Sequence, residues 1–438
     1  MYVVRDDVRF VKASVVGGGL AGLAAAVELA DSGAQVTLHE ARSRLGGATF
    51  SFERNGLWLD NGQHVALRCC TAYLGFLRRI GSDHLLPLQQ RLRVPVLREG
   101  HAPALISRTR LPAPLHLASS LLRYAPLGPR ERLSAIRAAT ALRRLDPDAA
   151  ALDDENFGSW LRAHGQSDAA IDALWNLIAL PTLNLPASEA SLAAAAKVFR
   201  TGLLDSADAA DIGIPAAPFQ RLHADPAQAA IEAAGGRVRL ASPVHDLHDL
   251  LAAGPVIVAV PHYAAADLVP GLNVDGLGAS PIVNLHVLYD RPVLDEPLAA
   301  ALDSPVQFVF DRTEAAGARS GQLLAVSISH AVEEIGASVE SLRARFLPAL
   351  ERLLPAARDA SVLDFAVTHE PRATFRVAPG TRRLRPGVHT QVDGLYLAGA
   401  WTDTGWPATM EGAVRSGLTA ARVALAALGS HHRTSVAA

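Results

Sequence analysis

The sequence predicts an α/β fold in which a Rossmann-type βαβ unit is interleaved with a second domain of mixed sheet and helices. Three observations predict it. Gly17, Gly19 and Gly22 stand between a short β-rich run and a helical pattern that continues through Leu29. A second apolar run, Gln35 to His39, ends on the acid Glu40, and the pair Gly46-Gly47 follows it. Near the other end, the run Leu395 to Ala398 ends on Gly399 and precedes a long helical pattern from Met410.

The first glycine run has a mechanism. Gly17 makes the strand-to-helix turn, Gly19 lets a pyrophosphate approach the backbone, and Gly22 lets helix and strand pack closely. The helix N-terminus offers N–H groups and a positive dipole end to the phosphates. Glu40, about 20 residues on, is placed to hold ribose hydroxyls, and an acid there argues against a 2′-phosphate. The helix beginning near Met410 offers a second N-terminus to partial negative charge. Two such turns, one at each end of the chain, suit a flavin. One holds the pyrophosphate, and the other places N–H groups at the pyrimidine edge of the isoalloxazine. The expected cofactor is FAD. The fold class is therefore a Rossmann-type FAD-binding domain of three layers (ββα), interleaved with a substrate domain.

The elements follow in order. The βαβ unit covers 12–40. Phe50 to Asp60 reads as a hairpin, because alternating residues flank Asn55-Gly56. A helix is expected from His64 to Ile80, ending at Gly81. Strands are expected at 92–97 and 103–107. Residues 114–203 look mostly helical, with breaks at Pro126, Pro147, Gly165 and Pro181. Asp225-Pro226 reads as an N-cap and first helical position for a helix to Ala234. Strands are then expected at 237–241, 256–260, 281–289, 305–311, 322–329 and 361–370, with a helix at 338–353. On this reading 12–90, 222–270 and 390–428 form the FAD-binding domain. Residues 91–221 and 271–389 form the substrate domain, with a helical, membrane-facing part at 108–203. Residues 1–11 and 429–438 are tails.

Composition bounds the rest. At 438 residues the chain suits two domains, and 50% hydrophobic with 19% charged residues is rich in apolar surface. No apolar run reaches the roughly 18 residues of a spanning helix, and the N-terminus has no signal-peptide pattern. Cys69 and Cys70 are adjacent, which excludes a disulfide framework or a structural metal site, so no metal is expected. A net charge of −2 gives no nucleic-acid footprint. The charge is uneven, however. Eleven arginines (91, 93, 98, 108, 110, 123, 130, 132, 137, 143 and 144) face only Glu99 and Glu131 between residues 91 and 144, with leucines interleaved. That stretch reads either as a solvated basic face or as a peripheral contact with an anionic membrane. The expected location is the cytoplasm, with a peripheral contact on the inner membrane face.

Several motifs resemble the FAD-dependent amine oxidase and phytoene desaturase superfamily. Glu40-Ala-Arg42-Ser-Arg44-Leu-Gly46-Gly47 resembles its second FAD motif. Gly236 to Val244 resembles the strand whose valine contacts adenine, and Gly399 with Met410 and Glu411 resembles the flavin-edge segment. Within the superfamily, Leu59-Asp-Asn-Gly-Gln-His64, Arg372-Ala-Thr-Phe375 and Trp401 to Gly417 are similar to the hydroxysqualene dehydroxylases, also called squalene-associated FAD-dependent desaturases. One position departs from that pattern: the family usually has Asp where this chain has Ala400.

The resemblance implies reductive removal of the hydroxyl from a C30 isoprenoid alcohol by reduced FAD, in squalene and hopanoid synthesis, with an electron donor not identified. Such a site needs an apolar slot and a group that helps the hydroxyl leave as water. Candidates for that group are His64, Asp60, Arg372, Asp403 and Glu411. Each keeps a structural alternative. Asp60 and Asn61 could cap a helix starting near His64, His64 could be an ordinary helix-start histidine, and Arg372 could hold a carboxylate or the flavin. Glu411 could be a surface acid favoured by the helix dipole. Trp401 and Trp406 could line the flavin or pack in the core. Two rival enzymes share the superfamily. An amine oxidase typically holds a lysine near the flavin, and neither Lys12 nor Lys197 lies in a suitable strand. A carotenoid-type polyene desaturase runs the flavin oxidatively and stays open. A flavin-free prenyl-binding protein of the Rab escort type is disfavoured by the retained Met410-Glu-Gly-Ala413 segment.

Overall fold

The computed structural model describes residues 12–436, with side chains to residue 428. The expected tail 1–11 lies outside the described residues. Strand β1 (Lys12–Val16), helix α1 (Leu20–Asp31) and strand β2 (Gln35–His39) form the βαβ unit. The hairpin is β3 (Ser51–Arg54) and β4 (Leu57–Asp60), with Asn55 and Gly56 both at positive φ, as the turn type demands. There follow β5 (Ala66–Leu67), α2 (Thr71–Arg79), β6 (Arg93–Leu97) and β7 (Ala104–Ser107). Helices α3 (Ala118–Arg123) and α4 (Pro129–Arg143) open a helical block that runs to residue 204. The remaining strands are β8 (Ile212–Gly213), β9 (Arg237–Arg239), β10 (Val256–Val258), β11 (Ser280–Tyr289), β12 (Leu298–Ala301), β13 (Phe308–Asp311), β14 (Gln322–Ser329), β15 (Val362–Thr374) and β16 (Leu395–Leu397).

Two sheets organise the chain. The first is parallel, in the order β16-β10-β1-β2-β9. Its strands read as short apolar runs because both faces are covered. Val15, Ile257 and Tyr396 point to a core with α1, α2 and the C-terminal helix Met410–Val436. Val16, Val256, Val258, Leu395 and Leu397 point to a second core with the helical block and Trp401. Strand alternation thus feeds two cores from one sheet. The second sheet has the order β15-β11-β14-β13-β12-β6-β7. It is antiparallel except where β12 meets β6, and its own core lies against the helix Val339–Leu353.

Several expectations are corrected. The helix expected from His64 begins only at Thr71. Residues 66–67 pair with β8 instead, and the cap of α2 comes from Glu411, which accepts from the N–H groups of Ala72 and Tyr73 at 3.1 and 2.7 Å. Asp225 is not an N-cap, since a π-helical turn, Gln220–Ala224, runs straight into the helix Asp225–Ala233. Pro181 does not break its helix, which continues to Leu183 and ends at Asn184 in a left-handed conformation. Strand β12 went unforeseen because Leu298-Ala-Ala-Ala301 has no strand propensity of its own; neighbours on both sides impose it. The tail expected from residue 429 is helical as far as Val436.

Candidate active site

The two glycine motifs close on each other. Gly17 sits at φ +109, and a Cβ on Gly22 would lie 1.9 Å from the Gly17 carbonyl oxygen, so helix α1 approaches the turn more closely than any side chain allows. A Cβ on Gly47 would lie 2.8 Å from Gly19 Cα, and Gly46 N–H donates to the Gly18 carbonyl at 2.9 Å. One glycine floor results. At its edge, α1 starts with neither a side-chain cap nor an acid in its first turn, which leaves its N–H groups for an anion.

Glu40 lies beside this floor and is buried. Its two oxygens accept from Gly18 N–H at 2.7 Å and Arg42 N–H at 2.8 Å. Arg44 stacks its guanidinium over Phe50 at 3.3 Å. Burial, reinforced by Arg42, lowers its pKa, and its Nη1 is buried without a partner among the described residues. A buried N–H group without an acceptor is costly unless a ligand completes it. Arg42 is exposed, and Val244 is half-buried beyond the end of β9.

The segment Asp60 to His64 crosses from this floor to the second sheet. Asn61 is its clamp. Its side chain accepts from Phe50 N–H and donates to the Ala48 carbonyl and to Glu370, while its own carbonyl accepts from Asn284 and Thr368. Asp60 is buried and fully engaged. Arg312 donates to Oδ2 at 2.8 Å, and Ser51 and Phe219 N–H donate to Oδ1. Asp60 therefore caps the helical turn at Gln220, not a helix near His64. Both carboxylate oxygens thus have donors and the charge is paired with Arg312, so Asp60 does not stand free as the expected proton donor.

His64 is half-buried, with its ring edge-on to Phe219 at 5.2 Å. Nδ1 lies 3.2 Å from the Gly62 carbonyl, which can only accept, so Nδ1 carries the proton, and Nε2 has no hydrogen-bond partner among the described residues. Burial lowers the pKa of this imidazole, opposed by the Gly62 hydrogen bond and by the charge of Asp60. Phe219 stacks in turn on His223, which meets the Tyr73 hydroxyl at 2.6 Å.

Arg372 is exposed at a register shift of β15 and stacks over Tyr263 at 4.4 Å. Asp403 is exposed and accepts from Gly405 N–H. Glu411 is not a surface acid: it is 1% exposed, caps α2 and pairs with Arg415 at 2.7 Å. Gly399 is at φ +146 and donates to Ser416 at 2.8 Å, and Met410 packs against the α1 core. Trp401 is a core residue, its indole N–H given to the Val260 carbonyl. Trp406 is half-buried between Lys197 and Arg415. Arg385 holds the loop from below, donating to the Ala400 carbonyl at 3.0 Å and to Thr402 and Thr404, with its pKa lowered to about 10 by burial. Arg312, Asn284, Glu370 and Arg385 escaped the sequence reading, because no local spacing ties them to the segments they hold.

Residues 20–425 match the family described as flavin containing amine oxidoreductase. The chain belongs to this family. Hydroxysqualene dehydroxylase of Rhodopseudomonas palustris is 30% identical to this flavin oxidoreductase, covering 94% of this chain and 98% of that protein. A probable zeta-carotene desaturase of Synechococcus elongatus is 26% identical, over 95% and 99%. Among solved structures, an oxidoreductase of Methanosarcina mazei superposes with a TM-score of 0.71 at 17% identity, over 93% and 99%, and shares the fold. The chain is thus an FAD-dependent oxidoreductase of the squalene and carotenoid desaturase group. The residues present fit FAD: the uncapped start of α1, the glycine floor, and the unpartnered Nη1 of Arg44 are what a dinucleotide pyrophosphate completes.

Proposed function

We propose that this flavin enzyme removes the hydroxyl of hydroxysqualene to give squalene. The observation that carries the reading is the end-to-end similarity to hydroxysqualene dehydroxylase. In the reaction a C–O bond breaks, a C–H bond forms, and the oxygen leaves as water with one added proton. FAD, when bound and reduced by an electron donor, supplies the hydride.

The chain's own residues orient and protonate. Gly17, Gly19, Gly22, Gly46 and Gly47 form the floor for the dinucleotide, with Glu40 toward ribose and Arg44 toward phosphate. Arg42, Val244, Gly399 and Met410 complete the proposed cofactor contacts. His64 is the group we assign to the substrate hydroxyl. Its Nε2 hydrogen-bonds the hydroxyl and fixes the direction of the C–O bond. In its imidazolium form His64 donates the Nε2 proton to the departing oxygen, which keeps its own hydrogen and leaves as water; the charge of Asp60 partly offsets the burial that disfavours that form. Arg372 and Asp403, both exposed, are left as contacts at the site's rim.

The test is anaerobic incubation of the dithionite-reduced holoenzyme with hydroxysqualene, the product being identified by mass. Squalene is expected, and His64→Ala should slow its formation about 10²–10⁴-fold with flavin retained. Unchanged alcohol with the wild type, or desaturation of a polyene by the oxidised enzyme instead, would overturn the reading.

A further inference from the structure

Exposed leucines are concentrated in one stretch of the chain, residues 105–133. Leu105, Leu111, Leu115, Leu122 and Leu133 are 37%, 52%, 55%, 57% and 50% exposed, whereas the other exposed large apolar side chains are scattered between Leu240 and Leu384. Isolated exposed leucines need no explanation, but a cluster does. Leu115 and Leu122 lie two turns apart along the continuous helical run Leu115–Arg123 and share a face. On α4, Arg130, Leu133 and Arg137 are spaced i, i+3 and i+7, and all three are exposed. Helix α3 packs directly on α4.

Charge along this stretch is almost all of one sign. No Asp or Glu occurs between Glu99 and Glu131, and Glu131 is spent on Gly128 N–H and Ser167. Tertiary structure sorts the arginines. Arg93, Arg98, Arg108 and Arg143 pair with Glu296, Asp303, Asp211 and Asp205, and Arg132 donates to carbonyls of the α3–α4 turn. Arg110, Arg123, Arg130 and Arg137 are exposed and have no acidic partner among the described residues.

We propose that the face formed by residues 105–137 docks on an anionic lipid surface, with Leu111, Leu115, Leu122 and Leu133 entering the interface and the four unpaired arginines meeting the headgroups. Charge complementarity selects this occupant. A second copy would set arginine against arginine, which like-charge repulsion opposes. Exposed leucines interspersed with unpaired arginines suit the boundary between headgroups and acyl chains. Among the described residues no helix is long and apolar enough to cross a membrane, so the contact is superficial. The docking itself rests only on this surface. Its use, delivery of a water-insoluble substrate from the bilayer, rests on the dehydroxylase reading.

The test is flotation of the holoenzyme with phosphatidylcholine vesicles, with and without phosphatidylglycerol, at low and high salt. Binding is expected only with phosphatidylglycerol and should fall at least tenfold at high salt. The variant R110E/R123E/R130E/R137E, and separately L115S/L122S, should lose at least tenfold in bound fraction while keeping flavin absorbance. A wild-type protein that stays unbound, binds neutral vesicles equally, or prefers an acidic protein over the vesicles would overturn the proposal. Salt dependence in the wild type decides the matter even if a variant folds poorly. Lipid binding without squalene formation would sink only the dehydroxylase reading.

Discussion

Arg312 and Asp60 form a buried ion pair: Nη2 lies 2.8 Å from Oδ2, and the side chains are 5% and 3% exposed. The pair ties the end of β13 in the second sheet to the end of the β3–β4 hairpin beside the glycine floor. Asp60 also caps the turn that carries Phe219 and His223, so one carboxylate links three elements around His64.

Removing one partner leaves the other charge buried. Arg312→Met should therefore destabilise the protein by about 3–5 kcal/mol. Adding Asp60→Asn should recover part of that loss, because the amide oxygen still accepts from Ser51. Urea denaturation of the two variants checks this; an Arg312→Met protein as stable as the wild type contradicts the assignment.

Two buried histidines predict the acid side of the stability profile. Burial, with His64 nearby, pushes His223 down to about 3, and burial with Arg312 nearby pushes His286 down to about 4. In the unfolded chain both titrate near about 6.5. The unfolded state thus binds more protons below that pH, and stability falls as pH drops from about 6.5 toward 4. Each group contributes a slope of up to about 1.4 kcal/mol per pH unit. His223→Gln should flatten the profile by about that amount, and equal slopes for wild type and variant would refute it.

Arg44 separates cofactor binding from folding. Its Nη1 has no hydrogen-bond partner among the described residues and is open to a ligand phosphate, so Arg44→Met should weaken FAD by about 1.5–3 kcal/mol with little change in apoprotein melting. Glu40→Ala should also lose flavin, but it removes the acceptor for Gly18 and Arg42 N–H and should lower melting as well. Absorbance of desalted protein, with a melting curve of each apoprotein, distinguishes the two.

Ala400 offers a gain-of-affinity test. Its carbonyl is fixed by Arg385, so the backbone is already held at the position where the family resemblance leads one to expect Asp. Ala400→Asp should tighten FAD, read as a lower Kd by titration of apoprotein. An unchanged Kd means that the carboxylate carries no binding energy in this loop.

The parallel βαβ frame, the glycine floor and the FAD requirement were legible in the chain, because each depends on spacing within a few tens of residues. Gly17 to Gly22 is one turn, and Glu40 ends the next strand. The same holds for the Asn55-Gly56 hairpin and the apolar strand before Gly399. Whether a titratable side chain is free was not legible. Asp60, Glu411 and His64 looked alike as candidate acids, yet Asp60 is consumed by Arg312 and Glu411 by α2, leaving His64 with an open nitrogen. The same applies to the basic stretch, where distant acids neutralise Arg93, Arg98, Arg108 and Arg143 but not Arg110, Arg123, Arg130 or Arg137. Local sequence sets backbone conformation through sterics and hydrogen-bond periodicity. Partners that are hundreds of residues away are chosen only when sheets and helices pack, and it is those partners that decide which polar group is spent and which is left for chemistry.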